Sequence, residues 1–107
     1  MSREQAYEIA GREPVAEAPG LRVQVLTIEG TQCVPWHHHT TISDFFFCLE
    51  GPMVIETRDP DSRHRLACGE RLTVPPRQPH RVSAADDGRC RFVIVQGVGT
   101  YDYVPES

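Results

Sequence analysis

Residues 35–51 read PWHHHTTISDFFFCLEG, and their pattern is the most informative one in the chain. In an extended strand, residues i and i+2 point to the same face, so His37 and His39 converge while His38 points to the opposite face. Asp44 opens the apolar run that follows, and a tight turn over residues 40–43 brings its carboxylate back beside the two imidazoles. Two imidazoles at this spacing form a chelating pair for a transition metal.

The rest of the chain reads as a series of short strands. Apolar or alternating runs cover residues 22–28, 45–49, 53–57, 63–67, 71–74, 81–84 and 91–96. Turn signals separate them, among them Gly51-Pro52, Gly69-Glu70 and Asp86-Asp87-Gly88. About eight short strands with no helical period predict an all-β fold, an antiparallel double-stranded β-helix or jelly-roll barrel in a single domain.

The first twenty residues differ in character from the rest. They are polar and contain Pro14 and Pro19, so residues 1–20 are predicted to form an arm and residues 21–107 the barrel domain. The strand over 22–28 places Val23, Val25 and Thr27 on one face. The residues assigned to the barrel core include Val25, Phe47, Leu49, Val74, Phe92 and Ile94.

A further histidine, His80, follows the proline-rich run Pro75-Pro76-Arg77-Gln78-Pro79, which restricts the backbone and aims the side chain. In order and spacing, these residues resemble the two sequence motifs of the cupin superfamily. The matching positions are Gly30, His37, His39, Asp44 and Gly51 in the first motif, and Gly69, Pro75 and His80 in the second. Asp44 stands where the superfamily has glutamate, and Arg77 and Ala84 stand where it has glycine and asparagine.

The resemblance implies one bound divalent transition metal, either Fe, Mn, Ni or Zn, held by His37, His39 and His80. Three roles are open for Asp44: a fourth metal ligand, a catalytic base beside the metal, or a cap for the turn that precedes its strand. We expect the ligand role. His38 is expected outside the site, and His64, between two arginines near a polar turn, at the surface.

The substrate pocket is expected beside Asp44. Phe46 and Cys48 share its side of the strand and would line an apolar pocket. Arg77 is either a rim residue that holds a carboxylate or phosphate, or a solvated loop arginine. Tyr101 and Tyr103 either close the mouth of the pocket or form an interface.

Two functions from different classes fit this pattern. The first is a metalloenzyme that acts on a small organic acid or carbonyl compound, with a dioxygenase favoured over an isomerase, lyase or decarboxylase. The second is a non-catalytic module that binds a sugar or another small metabolite, with the metal as an anchor or structural plug. The coordination of the metal distinguishes the two functions, because catalysis needs an open coordination position on the metal.

Composition limits the partners. The net charge of −4 argues against nucleic acid, which requires a concentrated basic surface. No apolar run is long enough for a membrane span, and the first residues do not resemble a signal peptide, so a cytoplasmic location is expected. A small-molecule partner, with an anionic one as an option, and a homodimer in which the arm joins the partner's sheet complete the expectations.

Overall fold

The computed structural model describes residues 7–107, which form two five-stranded sheets. The strands are β1 (Gly11–Ala18), β2 (Leu21–Glu29), β3 (Cys33–His38), β4 (Ser43–Glu50), β5 (Met53–Thr57), β6 (Ser62–Leu66), β7 (Arg71–Val74), β8 (His80–Ala84), β9 (Arg89–Gly97) and β10 (Val104–Pro105). The first sheet has the order β1-β2-β9-β4-β7 and the second the order β10-β3-β8-β5-β6. All strand pairs in both sheets are antiparallel. The predicted all-β jelly roll is confirmed.

The core lies between the two sheets, because each strand turns alternate side chains inward. In β9, Cys90, Phe92 and Ile94 are buried while the residues between them are partly exposed. Other core residues come from the first sheet (Leu26, Ile28, Phe46, Cys48 and Val74) and from the second (Val34, Met53, Ile55, Leu66, Val82 and Ala84). Within the described residues, no helix is long and apolar enough to cross a bilayer.

Three of the six residues assigned to the core from sequence are placed wrongly. Val74, Phe92 and Ile94 are buried, but Phe47 and Leu49 are 37% and 38% exposed, and Val25 is half-buried on the outer face. The cause is a lack of contrast between the two faces. Both β2 and β4 carry apolar residues at odd and at even positions, so hydrophobicity alone does not fix which set points inward.

The inward set is fixed by the residues that must be buried. Asp44, Phe46 and Cys48 point into the barrel on β4, which leaves Phe47 on the outside. On β2 the inward residues are Gln24, Leu26 and Ile28, and Val25 therefore faces out.

Residues 11–18, which the sequence assigns to an arm, form the edge strand β1 and pair with β2 of the same chain. Its side chains are mostly exposed, which explains the polar composition, and an edge strand tolerates Pro14. The pairing register shifts between Pro14 and Ala16. The part of the predicted arm at residues 1–6 lies outside the described residues.

The topology brings distant parts of the chain together at one end of the barrel. His37 on β3 pairs directly with His80 on β8 in the second sheet. Asp44, on β4 of the first sheet, pairs with Gln96 on β9. The short strand β10 lies against β3, with Val104 opposite His38. The imidazoles and the carboxylate thus approach each other from opposite sheets.

The core assignment makes a prediction for two leucines. Leu66 is 7% exposed in the core and Leu49 is 38% exposed on the outside. Leu66→Ala should lower the free energy of unfolding by about 2–5 kcal/mol, because it removes transfer energy and leaves a cavity, while Leu49→Ala should cost less than ~1 kcal/mol. Urea unfolding followed by circular dichroism checks this, and equal losses for the two variants would contradict the assignment.

Candidate metal centre

Three histidines and one aspartate form a compact buried cluster. His37, His39, Asp44 and His80 are each no more than 3% exposed, and their candidate ligand atoms all lie within 4.8 Å of one another. Four polar groups are buried together at this depth only if they satisfy one another or bind an ion. The structure therefore brings together all four residues that the sequence singled out as metal ligands.

Each imidazole is held by its Nδ1 atom. The acceptor in every case is a backbone carbonyl, which cannot donate, so each Nδ1 carries a proton and each Nε2 is free to point elsewhere. The distances are 2.8 Å from His37 Nδ1 to Pro35 O, 2.6 Å from His39 Nδ1 to Asp102 O, and 2.9 Å from His80 Nδ1 to Gln78 O. Metal-binding histidines are oriented in this way by their outer hydrogen bond.

The Asp44 carboxylate forms hydrogen bonds through both of its oxygens, and only Oδ2 contacts the histidines of the cluster. Oδ2 lies 3.1 Å from His39 Nε2 and 2.8 Å from His80 Nε2, and Oδ1 accepts a hydrogen bond of 3.0 Å from Gln96 Nε2. Burial by itself would raise the pKa of Asp44, but the hydrogen bonds and charges of the two histidines outweigh it and hold the pKa well below its usual range. The carboxylate is therefore ionised.

The histidines differ in their electrostatics. Burial, reinforced by the neighbouring His80, lowers the pKa of His37 to about 3, so this imidazole is neutral with its lone pair on Nε2. Burial also opposes the charged form of His39, but the hydrogen bond to Asp44 and the Asp44 charge outweigh it and raise the pKa. One ring is thus ready to bind a metal, while another holds a proton that a metal would displace.

The hydrogen bonds themselves test whether the cluster fits a metal. Since Nδ1 of His39 and His80 donates to a carbonyl, both rings need a second proton on Nε2 to donate to Asp44 as well. A divalent cation supplies the same positive charge in place of those two protons and accepts the lone pairs they occupied. Three nitrogen donors and one carboxylate oxygen suit Fe, Mn, Ni or Zn. The cluster fits a divalent metal site.

A small cavity of about 20 Å³, enough for about one water molecule, lies beside the cluster. Its wall combines apolar residues, which are Leu26, Val34, Phe46, Val82, Phe92 and Ile94, with polar ones, which are Arg12, Arg22, Gln24, Gln96, Tyr7, Tyr101 and Tyr103. His37, His39 and Asp44 line it as well, so three of the four candidate ligands face this space.

The three residues predicted for the pocket have different positions. Phe46 lines the cavity as expected. Cys48 lies in the core instead, where it is 2% exposed and its Sγ is 3.6 Å from Leu66 O. Arg77 is exposed and does not line the cavity, but its backbone N–H donates to His39 O at 2.6 Å. Its φ of 69° lies in the left-handed region. Arg77 therefore supports a candidate ligand through its backbone.

The C-terminal segment supplies groups that sequence reasoning located only in part. Tyr103 stacks on His37 with ring centroids 4.6 Å apart, and Tyr101 also lines the cavity, which favours the pocket role over an interface. Asp102 holds His39 through its carbonyl. A backbone carbonyl carries no residue-specific signal, so no sequence pattern indicates this contact.

The remaining histidines lie outside the cluster, as the sequence predicts. His38 turns to the other face of β3, where its Nδ1 contacts the Glu106 carboxylate. His64 Nε2 is 2.8 Å from the Ser62 hydroxyl on the outer strand β6. These two imidazoles serve as internal controls for experiments on the metal site.

A family model for the cupin domain matches residues 24–96. The chain belongs to the cupin family. The matched segment contains all four residues of the candidate metal centre and the strands that carry them. No curated protein matches the chain.

Solved structures of other proteins share the fold at low sequence identity. A cupin-2 domain protein from Shewanella frigidimarina is 23% identical, with a TM-score of 0.69, over 84% of this chain and 82% of that one. A Klebsiella pneumoniae protein with a double-stranded β-helix domain is 20% identical, with a TM-score of 0.77, over 91% and 80% of the two chains. KdgF from Halomonas sp. is 15% identical, with a TM-score of 0.73, over 94% and 92%.

The first test of the cupin metal centre is metal content. Protein purified without a histidine tag should carry close to one transition-metal ion per chain, and His37→Ala combined with His39→Ala should abolish binding. Acid should release the ion as pH falls below the usual histidine pKa of ~6.5, because protons compete for the ligand nitrogens. Mass-spectrometric metal analysis measures this. His38→Ala is the matched control, and full metal content in the double variant would place the site elsewhere.

Proposed function

We propose that this cupin is a metal-dependent enzyme that acts on a small organic acid or carbonyl compound. The observation that carries the proposal is the position of the cluster: His37, His39 and Asp44 line a small cavity with apolar and polar walls, and His80 completes the cluster beside them. A metal ion bound there would contact any small molecule that enters the cavity. Among the reaction classes expected from the sequence, dioxygenase remains the leading one, ahead of isomerase, lyase and decarboxylase.

The residues of the cluster and of the cavity would have separate roles in such an enzyme. The histidine Nε2 atoms would hold the ion, which when bound supplies Lewis acidity and, if it is iron, redox chemistry with dioxygen. Phe46, Phe92 and Ile94 keep bulk water from the reacting atoms, which strengthens electrostatic interactions there. Gln96 orients Asp44 through Oδ1.

The second oxygen of Asp44 is the one available for chemistry. Oδ2 is held by His39 and His80 through Nε2 protons, and those hydrogen bonds are lost if both nitrogens bind a metal. Oδ2 would then either join the metal or accept a proton from the substrate. We favour the ligand role.

A binding module without catalysis is the second candidate, and one observation favours it. The cluster offers four donors in a buried space, which is the number that a closed tetrahedral site requires. Such a site would leave the ion as an anchor under a cavity that holds a sugar or another metabolite.

Metal identity and open coordination separate the two candidates. Iron in the purified protein would favour oxygenase chemistry, while zinc or nickel would favour an isomerase or binding role. Mn²⁺-loaded protein should speed the relaxation of water protons if a labile water completes the coordination shell, as an enzyme requires. A relaxation rate no higher than that of the double histidine variant with equal Mn²⁺ present would contradict the enzyme.

Two substitutions test the role of Asp44. Asp44→Ala should weaken metal affinity by a factor of about ten or more, because it removes a ligand oxygen and the charge that compensates the cation. Asp44→Asn keeps the shape and removes the charge. Isothermal titration of metal into each variant measures the affinity, and Asp86→Asn, on the exposed turn after β8, is the control.

The other roles of Asp44 give different results. A base would leave metal affinity intact in both variants and abolish turnover. A turn cap would leave metal and turnover intact and cost about 1 kcal/mol of stability at most. Unchanged metal affinity in Asp44→Ala would overturn the ligand assignment.

A homodimer is proposed on the outer face of the first sheet. Six apolar side chains there form two rows across three strands, and we call them the outer patch: Phe45, Val95 and Val23 in one row, and Phe47, Val93 and Val25 in the other. A continuous apolar surface of this kind is costly in a monomer. Because β1 already pairs with β2, the expected exchange of an N-terminal arm does not have residues 11–18 available.

The charged residues at the two ends of one row of the outer patch favour a second copy of this chain as the partner that covers the patch. Glu13 on β1 lies opposite Val25 at one end, and Arg71 on β7 lies opposite Phe47 at the other. A twofold axis parallel to the strands reverses the row, so Glu13 of each copy would meet Arg71 of the other. An apolar centre with a charged rim is the usual anatomy of an interface.

The dimer predicts a mass near twice 12.0 kDa in light scattering. Phe47→Asp should shift the mass to that of one chain, because it places a charge in the apolar centre of the interface. Val98→Asp, at a residue that is 81% exposed outside the outer patch, should leave the mass unchanged. A single-chain mass for the wild type at high concentration would contradict the dimer. The cytoplasmic location stays a prediction from sequence.

A further inference from the structure

We propose that Tyr103 controls access to the metal centre, and that a molecule larger than water reaches the cluster only when residues 103–107 move away from the barrel. We call residues 103–107 the strap. The proposal rests on the proposed function, because the cavity of about 20 Å³ holds about one water molecule, whereas cavities for small-molecule ligands span ~300 Å³ or more. A substrate of the proposed class therefore requires part of the cavity wall to move.

The ring of Tyr103 covers the candidate metal ligands on one side of the cavity. It stacks on His37 with the ring centroids 4.6 Å apart and the planes 24° from parallel, and its centroid is 6.4 Å from that of His39. Tyr103 lines the cavity and is only 9% exposed, so its ring stands between the cluster and solvent. Moving this one side chain outward would connect the cavity to solvent.

The strap is attached to the barrel at the edge of the second sheet. Its strand β10 has two residues, Val104 and Pro105, and among the described strands it pairs with β3 alone. A strand is usually about five or six residues long, so this pairing is short. Of the five strap residues only Tyr103 is buried, and it lies outside the hydrophobic core cluster. Elements with few buried apolar contacts open without unfolding the rest of a domain.

The other attachments of the strap are polar contacts near the surface. Glu106 N donates to Trp36 O at 2.9 Å, and the Glu106 carboxylate contacts His38 Nδ1. Arg58 Nη1 donates to Ser107 O at 2.9 Å in an exposed hydrogen bond. Water replaces contacts of this kind when they break, so each of them contributes little to holding the strap closed.

Asp102 is the fixed point about which the strap would turn. Its carboxylate accepts hydrogen bonds from Thr40 N at 2.8 Å and from Thr40 Oγ1, and its carbonyl accepts one from His39 Nδ1 at 2.6 Å. Asp102 precedes the strap, so the strap can open without releasing His39. The metal ligands would then keep their positions while a substrate enters, and closure behind it would exclude bulk water.

A reversible crosslink between β3 and β10 tests the movement. Val104 lies opposite His38, and the Cβ atoms of directly opposed residues are ~4.5–5.5 Å apart, which a small shift brings within the reach of a disulfide. His38→Cys combined with Val104→Cys should therefore hold the strap closed after mild oxidation and release it after reduction. The probe of access is diethyl pyrocarbonate, a reagent much larger than water that modifies neutral imidazole, applied to metal-free protein.

The modification rate of His37, measured by peptide mass spectrometry, should be about tenfold or more lower in the oxidised variant than in the same variant after reduction, because the open form is lost. His64, on the outer strand β6, is the internal control and should react equally in both forms. Equal rates for His37 in the two forms would show that the reagent reaches the cluster without movement of the strap, and would overturn the proposal.

Two substitutions of Tyr103 test its role without a crosslink. Tyr103→Ala removes the ring and should raise the modification rate of His37 about tenfold or more, because the cavity then stays connected to solvent. Tyr103→Phe keeps the ring and should react as the wild type does. Circular dichroism checks the fold of the alanine variant, and the crosslinked protein decides if that variant is unfolded. A folded alanine variant with the wild-type rate would contradict the role of Tyr103.

Release of Zn²⁺ separates this proposal from the proposed function. In Zn²⁺-loaded crosslinked protein, oxidation should slow removal of the ion by excess EDTA and leave its Kd nearly unchanged, because a gate changes the rates of entry and exit together. Modification of His37 that follows the crosslink in a protein that takes up no metal would support the gate and remove the metalloenzyme. Normal metal content, with modification and release that both ignore the crosslink, would support the metal centre and remove the gate.

Discussion

A buried carboxylate is the constraint on which this barrel depends. Asp44 is 1% exposed between two sheets, and an ion at that depth persists only if neighbouring groups compensate its charge. His39, His80 and Gln96 provide that compensation, and they come from both sheets. Meeting this requirement fixes which side chains of β4 point inward, and through strand pairing it fixes the faces of β9 and β2. The burial of the polar cluster therefore determines which apolar side chains form the core.

The sequence predicts the metal centre better than the core. The i, i+2 spacing of His37 and His39 is a geometric statement about strands, and it holds whatever the neighbouring residues are. The inward face of residues 45–49 is different, since FFFCL is apolar at every position and gives no contrast between faces. The assignment of Phe47 and Leu49 to the core is therefore wrong, and the alternation that starts from a buried Asp44 places both of them outside.

The rest of the site escaped prediction for another reason. Arg12 and Arg22 belong to strands that are far in sequence from the histidine motif, and only the pairing of β1 with β2 brings them to the cavity. Asp102 acts through a backbone carbonyl, which any residue could supply. Arg77 is a candidate because of its charge, yet its contact with the site is made by its backbone N–H. Long-range pairing and main-chain contacts are the parts of a site that residue type does not reveal.

The positions of the groups around His39 also have a kinetic consequence. Its ring is held by Asp102, its carboxylate partner also contacts His80, and the His37–His80 pair joins β3 to β8. All of these contacts close long loops, and such contacts form late because loop entropy must be overcome first. A metal ion that needs all of them would bind tightly only to chains that have completed the barrel. The rate of metal uptake during refolding would then report the rate of the last folding step, independently of any spectroscopic probe of the strands.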